Sequence, residues 1–121
     1  MAVKKNFTID GGSDKTVYFY FRDANGLIDL SGYNCAMQIA SGDKIIDTLT
    51  TSNNRIYIEG ENGSIIVRFY NRATEKYPKG DLRYDIELES PDGCITRVVE
   101  GVIKVSQGIT SVKSITHEYY N

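Results

Sequence analysis

The sequence contains few residues that could perform chemistry together. Histidine occurs once, at His117 close to the end of the chain, so a serine or cysteine nucleophile would depend on that segment for its general base. The two cysteines, Cys35 and Cys94, lie far apart, and no pair of metal ligands has CxxC or HxxxH spacing. We therefore expect no catalytic residues, no metal site, no cofactor and no enzymatic activity.

Two groups of acidic residues resemble known sites in composition. Asp23-Ala24-Asn25-Gly26 with Asp29 resembles the start of a calcium loop, but it lacks the later ligands, and a tight hairpin turn explains the same residues. Asp85, Glu87 and Glu89 alternate along one segment. This alternation is typical of the solvated face of a strand, which we favour over a glycosidase pair.

Length and composition indicate one globular domain. The chain has 121 residues, 25% of them charged, a net charge of -2, no long apolar run and no signal-peptide pattern. We expect a soluble protein that is made in a cytoplasm, with both thiols reduced. Because basic and acidic residues are intermixed, neither nucleic acid nor a membrane is an expected partner.

Alternating apolar and polar residues, separated by turn pairs such as Asn25-Gly26 and Asp92-Gly93, predict short strands. One helical turn from Arg72 to Tyr77, capped by Asn71, is predicted between them. With no longer helix to cross between strands, the fold class is all-β, an antiparallel sandwich of about seven strands. The predicted strands cover residues 15–22, 34–40, 45–51, 55–60, 64–70, 81–90 and 96–106.

Tyrosine is the enriched residue type, with nine copies in a chain that has no tryptophan. An outward tyrosine suits protein contacts because it buries a large area at a small entropic cost, and it also suits stacking on sugars. A third interpretation is that cross-strand tyrosine pairs only stabilise an exposed sheet. The candidate interface consists of the tyrosines at outward or end positions, which are Tyr18, Tyr20, Tyr57, Tyr70, Tyr119 and Tyr120.

Several short motifs occur along the chain in an order and spacing that is also found in a known group of proteins. FTIDGG begins the pattern, DANG follows, and LIDLSGYNCAMQI comes next; NGSI, YPKG, YDIEL and TRVVEG follow in the second half. In this order they resemble small virion proteins of tailed bacteriophages over about residues 5 to 110. The proteins concerned are similar to the N-terminal domain of upper baseplate proteins and to tail collar proteins.

The resemblance implies an immunoglobulin-like β-sandwich over residues 1–110, followed by a C-terminal tail at 111–121. It implies a structural component of the virion, most often a baseplate or tail protein, that is made in the host bacterial cytoplasm. Its partners would be other virion proteins and copies of itself in a ring. The expected contacts are the outward tyrosines, the edge strand at 45–51 and the tail. A carbohydrate-binding module, or a decoration of the head or neck, is the alternative.

The segment LIDLSGY is expected to form a corner of the sandwich. Leu27 to Leu30 would end a short strand or form a bulge, and Gly32 would allow the chain to turn. Tyr33 would then cover the edge of the core as the chain changes sheet.

Overall fold

The computed structural model describes residues 2–112, and this part of the chain is built almost entirely from strands. Its helical elements are short, and include one α-helical turn, α1 (Asn71–Thr74), and a 3₁₀ turn at Gly60–Asn62. The strands are β1 (Val3–Lys4), β2 (Phe7–Gly11), β3 (Lys15–Tyr20), β4 (Arg22–Asp23), β5 (Gly26–Leu27), β6 (Asn34–Ser41), β7 (Lys44–Thr50), β8 (Ile56–Glu59), β9 (Ser64–Phe69), β10 (Gly80–Glu89) and β11 (Ile95–Gln107).

The strands form two main sheets and one small hairpin. The larger sheet has the order β1-β11-β10-β6-β7, with β2 also on β11, and the smaller has the order β3-β9-β8. This arrangement corresponds to strands G, F, C and C′ opposite B, E and D of an immunoglobulin-like sandwich. The predicted all-β, immunoglobulin-like sandwich is therefore confirmed. The small hairpin pairs β4 with β5 around the predicted turn at Asn25.

Packing of apolar side chains holds the two sheets together. The alternation is clearest in β10, where Leu82, Tyr84, Ile86 and Leu88 face the core. The tryptophan and inter-sheet disulfide typical of antibody domains are missing, because the chain has no tryptophan and both cysteines are free. Cys35 is buried in β6, and burial raises the pKa of its thiol to about 12.

Two parallel pairings differ from the predicted antiparallel sandwich. β1 and β2 run parallel to β11, with Val3 beside Val99 and Phe7 beside Ile103. Parallel pairing needs a long connection between the strands, and here the connection is nearly the whole domain. With β2 added to the seven segments predicted as strands, the sandwich has eight strands of four residues or more, where about seven were predicted.

Two predicted boundaries are wrong by a few residues. The strand predicted to run to Arg22 ends at Tyr20, because Arg22 pairs with Leu27 in the small hairpin. The helical turn runs from Asn71 to Thr74 instead of from Arg72 to Tyr77, and Tyr70 occupies the N-cap position. Asn71 does not act as the cap because its own backbone N–H and side-chain Nδ2 donate to Asp14 Oδ1, at 2.7 and 3.0 Å.

The segment LIDLSGY forms the predicted corner. Leu30 is buried, and its backbone N–H donates to the carbonyl oxygen of Gly60 at 2.8 Å. Asp29 Oδ1 accepts from the backbone N–H and the hydroxyl of Ser31, at 2.9 and 2.6 Å. Gly32 has φ +80, a left-handed conformation that glycine adopts without strain. The corner carries the chain from the smaller sheet into β6.

Candidate interaction surface

The outer face of the smaller sheet brings three of the predicted tyrosines together. Tyr18 on β3 and Tyr57 on β8 are both paired with Ile66 on β9, so the three form one row across the sheet. Tyr20 lies two residues along from Tyr18 on the same face. We call this surface the tyrosine face; its outward residues are Thr16, Tyr18, Tyr20, Tyr57, Glu59, Ser64, Ile66 and Arg68.

Ile66 is the unusual residue of this face. Its neighbours Ile65 and Val67 belong to the buried core cluster, so Ile66 points outward, yet only 6% of it is exposed. Directly opposed residues on adjacent strands have Cβ atoms about 5 Å apart, so Tyr18 and Tyr57 flank Ile66 closely enough to cover it. The centre of the face is therefore apolar.

The tyrosines themselves remain accessible. Tyr18 is 47% exposed, Tyr20 60% and Tyr57 59%. The rings of Tyr18 and Tyr20 stack with centroids 6.4 Å apart and planes 9° apart. Stacked rings hold each other in one orientation, so the face presents ordered aromatic surface that would lose little side-chain entropy on binding.

The other predicted tyrosines do not join this cluster. Tyr70 follows β9 and is 45% exposed, but it is separated from the central row by Arg68 and lies at the start of α1. Tyr119 and Tyr120, like most of the predicted tail, lie outside the described residues. Sequence reasoning missed Ile66, Arg68 and Glu59, because their position beside the tyrosines depends on the register of three strands.

The predicted contact strand at residues 45–51 corresponds to β7, which is an edge strand as expected. Part of this edge is closed by the side chain of Asn53. Its Nδ2 donates to the carbonyl of Thr48 at 3.0 Å, and its Oδ1 accepts from the N–H of Thr50 at 2.9 Å. The N–H of Thr48 donates to Asp47 Oδ1 at 2.9 Å. With its ladder groups occupied at Thr48 and Thr50, this half of β7 is a poor template for another strand.

A side-chain network joins β7 to the smaller sheet. Asp47 accepts two hydrogen bonds from the Arg55 guanidinium, at 2.8 and 3.2 Å, and one from the Tyr77 hydroxyl. Burial raises the pKa of Asp47, but the hydrogen bonds from Arg55 and Tyr77 outweigh this and lower the pKa below its usual value. Burial, then the hydrogen bond to Asp47, raises the pKa of Tyr77. The network therefore links β7 to the segments before β8 and after α1, through the charged side chains of Asp47 and Arg55 and the neutral hydroxyl of Tyr77.

The acidic residues considered as a possible calcium loop or glycosidase pair form ion pairs and hydrogen bonds that stabilise the fold. Asp85 forms an ion pair with Arg97 at 3.3 Å on an exposed face, and Glu89 accepts from Asn34 at 3.2 Å. Asp23 Oδ1 accepts from the backbone N–H of Asn25 at 2.8 Å, which stabilises the hairpin turn. Within residues 2–112, no three His, Cys, Asp or Glu side chains converge as a metal site would require.

No helix in the same range has the length and apolar character needed to cross a membrane.

Comparison with known proteins does not assign this chain to a family. No family model matches the chain, and no curated protein matches it. Among solved structures, extracellular domains 3-5 of Drosophila OTK match with 12% identity and a TM-score of 0.38, covering 88% of this chain and 33% of that one. The chain thus spans about a third of that structure's length. A likeness this low does not indicate a relationship, and the fold class follows from the order of the strands in the two sheets.

Proposed function

We propose that this protein is a structural component of a tailed-phage virion, at the baseplate or tail, that works by binding neighbouring proteins through the tyrosine face. The virion assignment comes from the ordered motifs between residues 5 and 110. The observation that carries the binding role is the row Tyr18–Ile66–Tyr57, in which an apolar residue on an outer face is flanked on both neighbouring strands by exposed tyrosines. Tyrosine and large apolar residues are enriched at the centres of protein interfaces.

Antibody labelling tests the virion assignment. Antibodies against the purified protein would be applied to phage particles from the source of the sequence and located by electron microscopy. We expect labelling at the baseplate or tail, and none after the antibody is absorbed with the purified protein. Labelling at the head or neck would favour a decoration role. Intact particles without label would contradict the assignment.

A second measurement tests the binding role of the face itself. The paired substitution Tyr18→Ser and Tyr57→Ser removes the cover of Ile66, and we expect it to abolish incorporation of the protein into particles. The matched control is Tyr70→Ser, which removes a tyrosine about as exposed as Tyr18 but away from the central row. Normal incorporation of the paired variant would show that another surface makes the contact.

Carbohydrate binding is the second candidate, and one observation favours it. Tyr18 and Tyr20 are both exposed and adjacent, with ring planes 9° apart, and exposed aromatic rings are groups on which sugar rings stack. A glycan array probed with the purified protein tests this function. Binding that is lost in a Tyr20→Ser variant would support it, and an array without signal above background would rule against it.

A further inference from the structure

The charge of the tyrosine face changes sign along its strands. Arg68 lies on one side of the central row, opposite Thr16, and is exposed without an ion-pair partner in residues 2–112. Glu59 lies on the other side, opposite Ser64, and its carboxylate accepts from Asn62 Nδ2 at 3.2 Å. One cation and one anion therefore flank an apolar centre.

Two copies of this face have complementary charges when they are related by one particular two-fold rotation. A two-fold axis that runs across the strands, along the central row, reverses the strand direction of the second copy. Arg68 then faces the row that contains Glu59 of the second copy, and each Ile66 faces the other. A two-fold axis along the strands would instead place Arg68 against Arg68, which like-charge repulsion disfavours.

We propose that the tyrosine face is the docking site for a second copy of this chain, packed face to face about the two-fold axis that crosses the strands. This inference rests on the proposed function that the face binds protein, and it names the partner. The apolar rows meet at the centre and exclude water. Facing sheets pack about 10 Å apart, a gap that one arginine and one glutamate side chain can bridge.

The size of the face sets the expected strength of this contact. Three strands about 4.8 Å apart, two of six residues and one of four, give each copy a face of at most roughly 15 by 20 Å. This area falls below the roughly 800 Å² that each partner contributes to a standard interface. We therefore expect a weak dimer that forms at high concentration and is strengthened where several copies are held together.

Charge reversal with mixing tests the proposal. Arg68→Glu and Glu59→Arg each place like charges opposite one another in a homodimer. We expect each variant alone to raise the dimer dissociation constant at least about tenfold. In an equimolar mixture, both contacts of the mixed dimer join unlike charges, so the mixture should recover association near the wild-type level. Light scattering across a concentration series gives the masses.

The controls reverse the same charges on other surfaces. Arg22→Glu lies in the β4–β5 hairpin and Glu87→Arg lies on the outer face of the larger sheet, and both positions are exposed. We expect both to associate as the wild type does. Circular dichroism and thermal melting confirm that all variants fold.

Two outcomes would overturn the proposal. One is a wild-type protein that remains monomeric at the highest concentration reached, which would leave the face to a different virion protein. The other is a dimer that neither variant weakens, because its contact must then lie elsewhere. Neither outcome changes the antibody labelling of particles, so this inference can fail while the proposed function stands, and the reverse also holds.

Discussion

Asp47 shows how one carboxylate can connect three elements. It belongs to β7, while Arg55 precedes β8 and Tyr77 follows α1. Bidentate arginine–carboxylate pairs have a fixed geometry and gain strength where solvent is limited. The side chains of Arg55 and Asp47 are 19% and 15% exposed. The network therefore sets the position of the edge strand relative to the smaller sheet.

Removal of this carboxylate should be costly. We expect Asp47→Asn to lower the free energy of unfolding by about 2 kcal/mol, because it leaves the Arg55 guanidinium partly buried without its counter-charge. Urea denaturation measures the loss. Asp43→Asn is the matched control, since this exposed residue in the β6–β7 turn should change stability little. Equal stability of the two variants would contradict a cross-linking role.

The same network predicts a dependence on acid pH. The folded pKa of Asp47 lies below its unfolded value of about 3.9. Its contribution is therefore fully present above the unfolded pKa and is lost as the pH falls through the folded pKa. Denaturation curves between pH 6 and pH 2 should converge for the wild type and Asp47→Asn at the acid end. A constant difference at all pH values would show that the carboxylate charge is not responsible.

At the scale of elements, the N-terminal segment is fixed where it crosses over β11. Between β1 and β2, Lys5 passes over Gly101 of β11, so a Cβ at position 101 would overlap the carbonyl oxygen of Lys5. The same carbonyl accepts a hydrogen bond from the Tyr84 hydroxyl at 2.6 Å. Asn6 Oδ1 accepts from the N–H of Val102 at 2.9 Å. The crossing is fixed from both sides.

Gly101→Ala tests this crossing. The added methyl group must displace backbone, which we expect to cost about 3 kcal/mol in the free energy of unfolding and to separate β1 from β11. Gly108→Ala is the control, since a Cβ there meets no other atom within 4 Å. Denaturation and amide exchange of the N-terminal strands measure the two effects. Unchanged exchange in Gly101→Ala would contradict the close crossing.

The closed half of β7 gives a second prediction for the elements. Asn53→Ala frees the carbonyl of Thr48 and the N–H of Thr50, so the edge becomes a template for pairing. We expect a loss of about 1 kcal/mol in stability and faster aggregation on incubation, measured by light scattering. Asn25→Ala, in an exposed turn elsewhere, should aggregate no faster than the wild type.

The sequence predicted those elements whose signal is local. Alternation located β3, β6, β9, β10 and β11, and turn pairs located the hairpins, because both signals depend on neighbouring residues. The parallel pairing of β1 and β2 with β11, and the meeting of Asp47 with Tyr77, could not be predicted in this way. They join residues far apart in the chain, and nothing in the local pattern encodes such a pairing. The tyrosines of the face were found, but Ile66 at its centre was not.

At the scale of the whole molecule, the two outer faces differ in character. The larger sheet presents acidic and basic residues side by side, which are Asp81, Arg83, Asp85 and Glu87 on β10 and Glu100 and Lys104 on β11. The smaller sheet presents tyrosines with a single cation and a single anion. Both faces enclose one core, in which buried tyrosines carry hydroxyls that are hydrogen-bonded. These hydroxyls make the stability of the whole domain sensitive to alkali.

Alkaline unfolding tests this sensitivity. Burial raises the folded pKa of Tyr84 to about 12, above the unfolded value of about 10. The contribution of Tyr84 is therefore fully present below pH 10 and is lost as the pH rises to about 12. We expect denaturant midpoints to fall over this interval, with a shallower fall in Tyr84→Phe. An identical pH slope in that variant would show that other groups cause the loss.

The pairing of Val3 with Val99 also governs the order in which the chain can fold. The hairpins β6–β7 and β10–β11 join near neighbours, but β1 and β2 pair with β11 and therefore have no strand to pair with until β11 has formed. Contacts of such long sequence separation slow folding, because a large loop must close before they form. During synthesis, β1 and β2 therefore stay without their sheet hydrogen bonds until almost the entire domain has emerged from the ribosome.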